Sequence, residues 1–105
     1  MKPVKKKELN IQADTLLKAS FLFEAVIHPM RLRLLNLLIA HGGLTTTAIL
    51  SMLELEPEIC VQQLSILCGV GLLLRNTEGE EVFYTVNYKK LDQLDRCAEL
   101  LSLDP

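Results

Sequence analysis

The sequence predicts a mainly α-helical domain with a small β-hairpin, in the order α-α-α-α-β-β-α. Apolar residues recur at helical spacing in segments that proline and glycine separate. Near the end of the chain, a β-branched and aromatic run at Val82–Thr85 follows a glycine-containing turn. The length of 105 residues and an apolar fraction of 50% favour one domain with a real core and exclude intrinsic disorder.

Residues 1–10 are predicted to form a flexible basic arm, and residues 11–105 a single domain. The arm contains Pro3 and four lysines, but polar residues follow it instead of the apolar run of a secretory signal. No apolar stretch approaches the roughly 18 residues that cross a membrane. Three cysteines cannot all pair within one chain, so they are expected to be reduced thiols in a cytoplasmic protein.

The first two helices are predicted at residues 11–27 and 29–40. Pro29 separates them, because the residue before proline leaves the helical region and proline suits a first helical turn. Gly42 and Gly43 end the second helix by allowing a left-handed cap. Its apolar side is expected to consist of Leu32, Leu35, Leu38 and Ile39.

The next two helices are short and close together in the sequence. Thr45–Thr47 is predicted to cap the third helix, and Pro57 begins the fourth helix, at residues 57–68. Apolar residues at the spacing of one helical face predict the buried stripe of the fourth helix, which consists of Cys60, Leu64 and Leu67.

Two strands, at residues 72–75 and 81–86, are predicted to flank a turn at residues 76–80. A last helix follows at residues 88–103. It carries apolar residues at the 3-4-3 spacing of a seam between helices, namely Leu91, Leu94, Ala98 and Leu101. This seam favours a dimer in which the terminal helices, 11–27 and 88–103, form the interface.

Two short helices joined by a tight turn and followed by a hairpin form a winged helix-turn-helix. Three stretches of the sequence resemble the ArsR-type family of bacterial winged-helix transcriptional regulators. They are the His28-Pro29-x-Arg31 element within residues 23–38, the Leu64, Leu67, Gly71 and Leu72 end of the fourth helix, and the Gly79 and Tyr84 pair in the hairpin. The resemblance covers about residues 16–100.

This resemblance implies a homodimeric repressor that binds a double-stranded DNA operator and responds to a small effector. It implies that helix 57–68 enters the major groove and that the wing, residues 72–86, lies on the DNA backbone or in the minor groove. It also places Leu16 of the first helix in the dimer interface with the seam on the last helix.

The DNA-reading residues are expected mainly on the fourth helix, whose outward positions, opposite its buried stripe, are Glu58, Ile59, Gln62, Ser65 and Ile66. The amides of Gln62 and Gln63 suit adenine in the major groove, and Ile59 suits a thymine methyl group. The predicted DNA-binding set is Gln62, Gln63, Glu58, Ile59, Ser65, Thr46 and Arg75.

The charge of this half of the chain departs from the family pattern. Between Ser51 and Thr85, six glutamates face a single basic residue, Arg75, whereas phosphate contacts normally need Lys or Arg. Exposed Ile59 and Ile66 beside these acids suit an alternative, a winged-helix protein–protein interaction module that has lost ordinary DNA binding. The candidates for phosphate contacts are basic residues elsewhere, namely Arg31, Arg33, Lys5, Lys6, Lys7, Lys89 and Lys90. The alternative for Arg31 and Arg33 is a solvated helix end or a structural ion pair, and the alternative for the lysine arm is a solubilising tail.

Cysteines are the remaining reactive side chains. Cys60 and Cys68 stand eight residues apart, roughly 12 Å along one helix, so they cannot share a metal ion, and no metal site is predicted. Cys60, Cys68 and Cys97 are candidates for thiol sensing, and the alternative for each is a buried cysteine acting as a small hydrophobic residue.

Catalysis has no support in the sequence. His28 and His41 are the only histidines, and both are expected to serve helix ends. Because no nucleophile–base set or phosphate-binding glycine loop is present, we predict neither an enzyme nor a cofactor.

Overall fold

The computed structural model describes residues 13–101, with the side chains of all except 13, 15, 16, 19 and 97–101. Five helices and a three-stranded antiparallel sheet make up this part of the chain. The elements are α1 (Ala13–Val26), α2 (Pro29–His41), β1 (Leu44–Thr45), α3 (Thr46–Leu53), α4 (Pro57–Gly69), β2 (Leu73–Glu78), β3 (Glu81–Val86) and α5 (Tyr88–Leu101). The predicted fold class is confirmed, and no helix in the described range is long and apolar enough to cross a membrane.

The ends of several predictions lie outside the described residues. These are the basic arm at 1–10 and the terminal residues 11–12 and 102–103 of the two outer helices. The side chains of Leu16, Cys97, Ala98 and Leu101 also lie outside the described ones.

The helix boundaries follow the predicted breaks. His28 caps α2, and its Nδ1 accepts a hydrogen bond from the backbone N–H of Met30 at 3.2 Å. Gly42 ends α2 in the left-handed conformation, with φ of 76°. Both features confirm that His28 and the glycine pair have structural roles at the two ends of this helix.

The core centres on leucines of α2 and α4. In α2 the buried residues are Leu34, Leu35 and Leu38, whereas Leu32 and Ile39 are exposed. The predicted apolar side of α2 was therefore wrong at these two positions, because α1, α4 and β3 pack around the side on which Leu34 lies. In α4 the predicted stripe of Cys60, Leu64 and Leu67 is fully buried. These packed leucines hold α4 with its opposite face outward.

A three-residue turn joins α3 to α4. Thr45 caps α3 by accepting a hydrogen bond from the N–H of Ala48 at 3.2 Å. Glu54 ends α3 at φ of 52°, a left-handed conformation that costs about 1–2 kcal/mol for a residue with a Cβ atom. Pro57 then starts α4 in the first-turn position.

The sheet contains one strand more than the sequence predicts. Leu44 and Thr45 form β1 and pair antiparallel with Tyr84 and Phe83 of β3, so the order is β1-β3-β2. A two-residue strand carries no periodicity of its own, and only its long-range partner reveals it.

The hairpin is also tighter than predicted. Asn76, Thr77 and Glu78 continue β2 and pair with Phe83, Val82 and Glu81. The turn therefore consists of two residues, Gly79 and Glu80, and Gly79 adopts φ of 66°. The predicted five-residue turn at 76–80 was wrong because polar residues can form a strand at an exposed sheet edge.

The last helix is anchored to the junction between α4 and β2. Asn87, just before α5, donates from Nδ2 to the carbonyl of Gly71 at 3.0 Å and from its backbone N–H to the carbonyl of Leu72 at 2.9 Å. α5 packs against α1, with Leu94 in the core of the same chain and Leu91 half-buried beside it.

Candidate nucleic-acid interface

The outward face of α4 is an exposed helical surface of mixed chemistry. The five side chains predicted to face outward are exposed, namely Glu58, Ile59, Gln62, Ser65 and Ile66. This exposure follows from the burial of Cys60, Leu64 and Leu67 on the opposite side. The exposure of the five is confirmed, whereas their contact with DNA stays a prediction.

The structure adds one residue to this face. Val61 is exposed, and with Pro57, Glu58, Gln62, Ser65 and Ile66 it lines one open concavity. Val61 is absent from the predicted outward positions, because those follow only from their distance to the buried stripe. The spacing of four residues between Val61 and Ser65, which share a helical face, could have found it.

Gln62 and Gln63 have different environments. Gln62 is exposed, whereas Gln63 is half-buried and its Oε1 accepts a hydrogen bond from Nη1 of Arg31 at 2.8 Å. Nε of Arg31 also donates to the carbonyl of Ala25 in the last turn of α1. Arg31 is therefore structural: it connects α1 to α4, and Gln63 faces Arg31 with its carbonyl oxygen.

Replacing Gln63 with alanine is expected to lower the free energy of unfolding by about 1 kcal/mol, because the guanidinium of Arg31 loses its side-chain acceptor. The matched substitution of exposed Gln62 should change stability by less than about 0.5 kcal/mol. Chemical denaturation followed by circular dichroism measures both. Equal effects of the two substitutions would contradict the role given to Arg31.

Thr46 and Arg75 lie on elements beside α4. Thr46 is half-buried, and its hydroxyl donates to the carbonyl of Val82 in β3 at 3.5 Å, which ties the start of α3 to the wing. Arg75 is exposed on β2 opposite Tyr84 of β3. Arg75 is thus free to reach phosphate, whereas the hydroxyl of Thr46 is engaged within the chain.

The wing is acidic at its tip. Glu78, Glu80 and Glu81 surround the two-residue turn, and all three are exposed. Among the described basic residues, Arg33 and Lys89 are also exposed, whereas the aliphatic part of Lys90 lies close to Gly71. A duplex would therefore meet repulsion at the tip of the wing and attraction at Arg75.

The two described cysteines both belong to α4. Cys60 is fully buried, and this burial raises the pKa of its thiol. Burial also raises the pKa of half-buried Cys68, while the positive charge of Arg75 acts in the opposite direction. The residues that flank Cys68 in the sequence do not predict this influence of Arg75, which stands seven residues further along the chain. A raised pKa keeps both thiols protonated near neutral pH, which disfavours their reaction.

The buried thiol of Cys60 predicts a loss of stability at alkaline pH. Below the ordinary thiol pKa of 9.0, the folded and unfolded chains both carry the protonated thiol. Above it, the unfolded chain releases its proton first, so the free energy of unfolding falls by at most about 1.4 kcal/mol per pH unit for each such group. Urea denaturation at about pH 8 and pH 10 should show a steeper fall for the unmodified chain than for Cys60→Ser. Parallel pH profiles would contradict the assignment.

Metal ligands do not come together among the side chains that the structure describes. None of these described side chains belongs to a group of three His, Cys, Asp or Glu residues that could hold a metal ion. His28 serves as a helix cap, and His41 lies in the last turn of α2.

Comparisons with known proteins point to one class of regulator. No family model matches the sequence. The transcriptional repressor PagR of Bacillus anthracis is 35% identical over 71 residues, which cover 68% of this chain and 71% of PagR. The crystal structure of PagR superposes with a TM-score of 0.70 at 31% identity, over 87% of this chain and 100% of PagR.

Two further structures share the architecture. HlyU from Vibrio cholerae N16961 gives a TM-score of 0.72 at 26% identity, over 89% of this chain and 100% of HlyU. An ArsR-like transcriptional regulator from Rhodococcus sp. RHA1 gives a TM-score of 0.75 at 19% identity, over 85% of this chain and 83% of that regulator, and supports the fold alone.

Proposed function

The chain belongs to the ArsR family of winged-helix transcriptional regulators, and from this premise we propose that it is a cytoplasmic, homodimeric repressor of an operator that α4 and the wing read. It is a regulator and not an enzyme, as is general in this family. The relatives do not favour the alternative of a protein–protein interaction module. The observation that carries the proposal is the outward face of α4, which presents Gln62 and its neighbours away from the core.

Exposed side chains on the first helix support the proposed homodimer. Leu17 and Phe21 of α1 are each 56% exposed and stand four residues apart, on one face. Leu94 of α5 is buried within its own chain and Leu91 is half-buried beside it, so among the described side chains the proposed contact between subunits centres on α1. Sedimentation equilibrium should then give twice the chain mass of 11.8 kDa.

The Arg31 bridge supports the proposed response to an effector. Because Arg31 contacts both the last turn of α1 and Gln63 of α4, a change in the packing of α1 reaches the DNA-reading helix directly. An effector that binds one arrangement of α1 more tightly than another would therefore change the affinity for DNA. Binding of DNA would change the affinity for that effector by the same factor.

A salt titration tests the proposed function. The affinity of the purified protein for DNA from its own upstream region is measured against scrambled DNA of equal length, with reductant present. We expect specific binding at about 0.15 M salt that weakens as salt rises, and the slope counts the phosphates that the protein neutralises. With so few exposed cations near α4, this slope should be shallow.

Substitutions show whether α4 carries the specificity. Gln62→Ala should weaken specific binding by about 1–3 kcal/mol and leave binding to scrambled DNA unchanged. Gln93→Ala, at an exposed position of α5, is the matched control. Equal affinity for both DNAs at every salt concentration would contradict operator binding, and unchanged affinity in Gln62→Ala would remove that residue from the mechanism.

A further inference from the structure

The outward face of α4 lacks the side chains that most often read guanine. Pro57–Gly69 contains neither lysine nor arginine. The commonest specific contact in the major groove is a bidentate bond from Arg or Lys to O6 and N7 of guanine. This helix therefore cannot make that contact, and its specificity comes from other groups.

The outward face of α4 presents one amide, that of Gln62, between aliphatic side chains. Val61, Ile66 and Ile59 are 47%, 38% and 43% exposed. At about 100° per residue, Gln62 lies between Val61 on one side and Ile66 on the other. Gln62, Val61 and Ile66 line the same concavity, so a single base-pair step can meet the amide and an aliphatic group together.

These two chemistries match the two halves of one base pair. A glutamine amide bonds bidentately to N6 and N7 of adenine, and the C5 methyl of thymine is the apolar group on the floor of the major groove. We infer that α4 reads thymine methyl groups, so that the operator half-site has A·T pairs against Gln62 and thymine methyls against Val61 and Ile66. This inference rests on the proposed function, since it names the DNA that the proposed regulator selects.

Glu58 limits the inference at one position. Glu58 lines the same concavity, and a carboxylate can accept a hydrogen bond from the exocyclic amine of cytosine or adenine. One C·G pair is therefore compatible with the N-terminal end of α4, whereas the pairs facing Gln62, Val61 and Ile66 are A·T.

Deoxyuridine substitution tests the inference. Random-sequence duplexes are first selected by binding to the intact protein at low salt, and the enriched duplex is synthesised with thymidine or with deoxyuridine at single half-site positions. Deoxyuridine removes the C5 methyl and retains base pairing. We expect binding to weaken roughly threefold to fivefold for each contacted thymine, as for one buried methyl group.

Variants of the protein separate a direct contact from a change in DNA shape. In Val61→Ala and Ile66→Ala, the preference for thymidine over deoxyuridine should fall to about one at the position that each side chain contacts. Ile39→Ala is the matched control, because Ile39 of α2 is also an exposed aliphatic residue, at 38%. Thermal unfolding followed by circular dichroism verifies that each variant is folded.

The outcomes distinguish this inference from the function on which it rests. Enrichment of A·T pairs with a preference for thymidine that the variants lose supports both. A selected duplex that has G·C pairs at these positions, or that binds equally with deoxyuridine, overturns methyl readout while operator binding stands. A preference that persists in both variants also overturns it. Failure to enrich any sequence overturns both and leaves the aliphatic face for a protein partner.

Discussion

Replacing Leu64 with alanine is expected to lower the free energy of unfolding by about 2–5 kcal/mol. Leu64 is fully buried in the middle of α4, within the core cluster that joins α2, α4 and the sheet. The shorter side chain loses its transfer free energy and leaves a cavity that the surrounding leucines fill only in part. For a small domain stable by about 5–15 kcal/mol, this is a large share of the total.

Val61→Ala is the control for this prediction. Val61 belongs to the same helix but is 47% exposed, so its truncation removes little buried surface and should change stability by less than about 1 kcal/mol. Guanidinium denaturation followed by far-ultraviolet circular dichroism measures both variants. Similar midpoints for Leu64→Ala and Val61→Ala would contradict the orientation of α4 on which the proposed interface depends.

Gly43→Ala is expected to destabilise the fold by about 2–4 kcal/mol, through backbone strain together with a steric clash. Gly43 has φ of 133°, and a Cβ atom there would lie 2.9 Å from Cγ2 of Thr85 and 3.0 Å from the ring of Phe83. Both neighbours belong to β3, so relieving the clash would displace β1 from the sheet. Amide hydrogen exchange should then show faster exchange in the sheet as well as a lower global stability.

Gly42→Ala provides the comparison. Gly42 also has a positive φ, 76°, but a Cβ atom there would meet nothing within 4 Å. Its replacement should therefore cost only the left-handed strain of about 1–2 kcal/mol and leave exchange in the sheet unchanged. If the two alanine variants behaved alike, the close approach of Gly43 to the wing would have no energetic role.

The sequence allowed the helices to be predicted well because their ends carry local chemical signals. Pro29, Gly42 and Pro57 act through their own backbone, so the predicted bounds of α2 and α4 lie within one residue of the observed ones. β1 carries no such signal, since pairing with β3 across the chain defines it. The length of β2 also depends on its partner, which draws polar residues into the ladder.

Part of the candidate site could also be predicted from the sequence, and part could not. The exposure of Glu58 and Gln62 could be predicted, because a buried stripe at helical spacing determines the opposite face. The bond between Arg31 and Gln63 could not, since it joins residues 32 positions apart on different helices. Neighbouring glutamines with the same chemistry thus acquire separate roles only once the helices pack.

The wing also affects the solubility of the protein. In the order β1-β3-β2, no other strand of the described chain covers the outer side of β2, and this strand presents the half-exposed Leu74. An uncovered edge with apolar residues invites strand pairing between molecules and aggregation. The charges of Arg75 and Glu78 on this strand oppose such pairing. The negative charge of Glu78, which weakens attraction to phosphate, therefore also protects the chain against pairing of β2 with another molecule. Neutral substitutions at the tip of the wing would raise both the affinity for DNA and the tendency to aggregate.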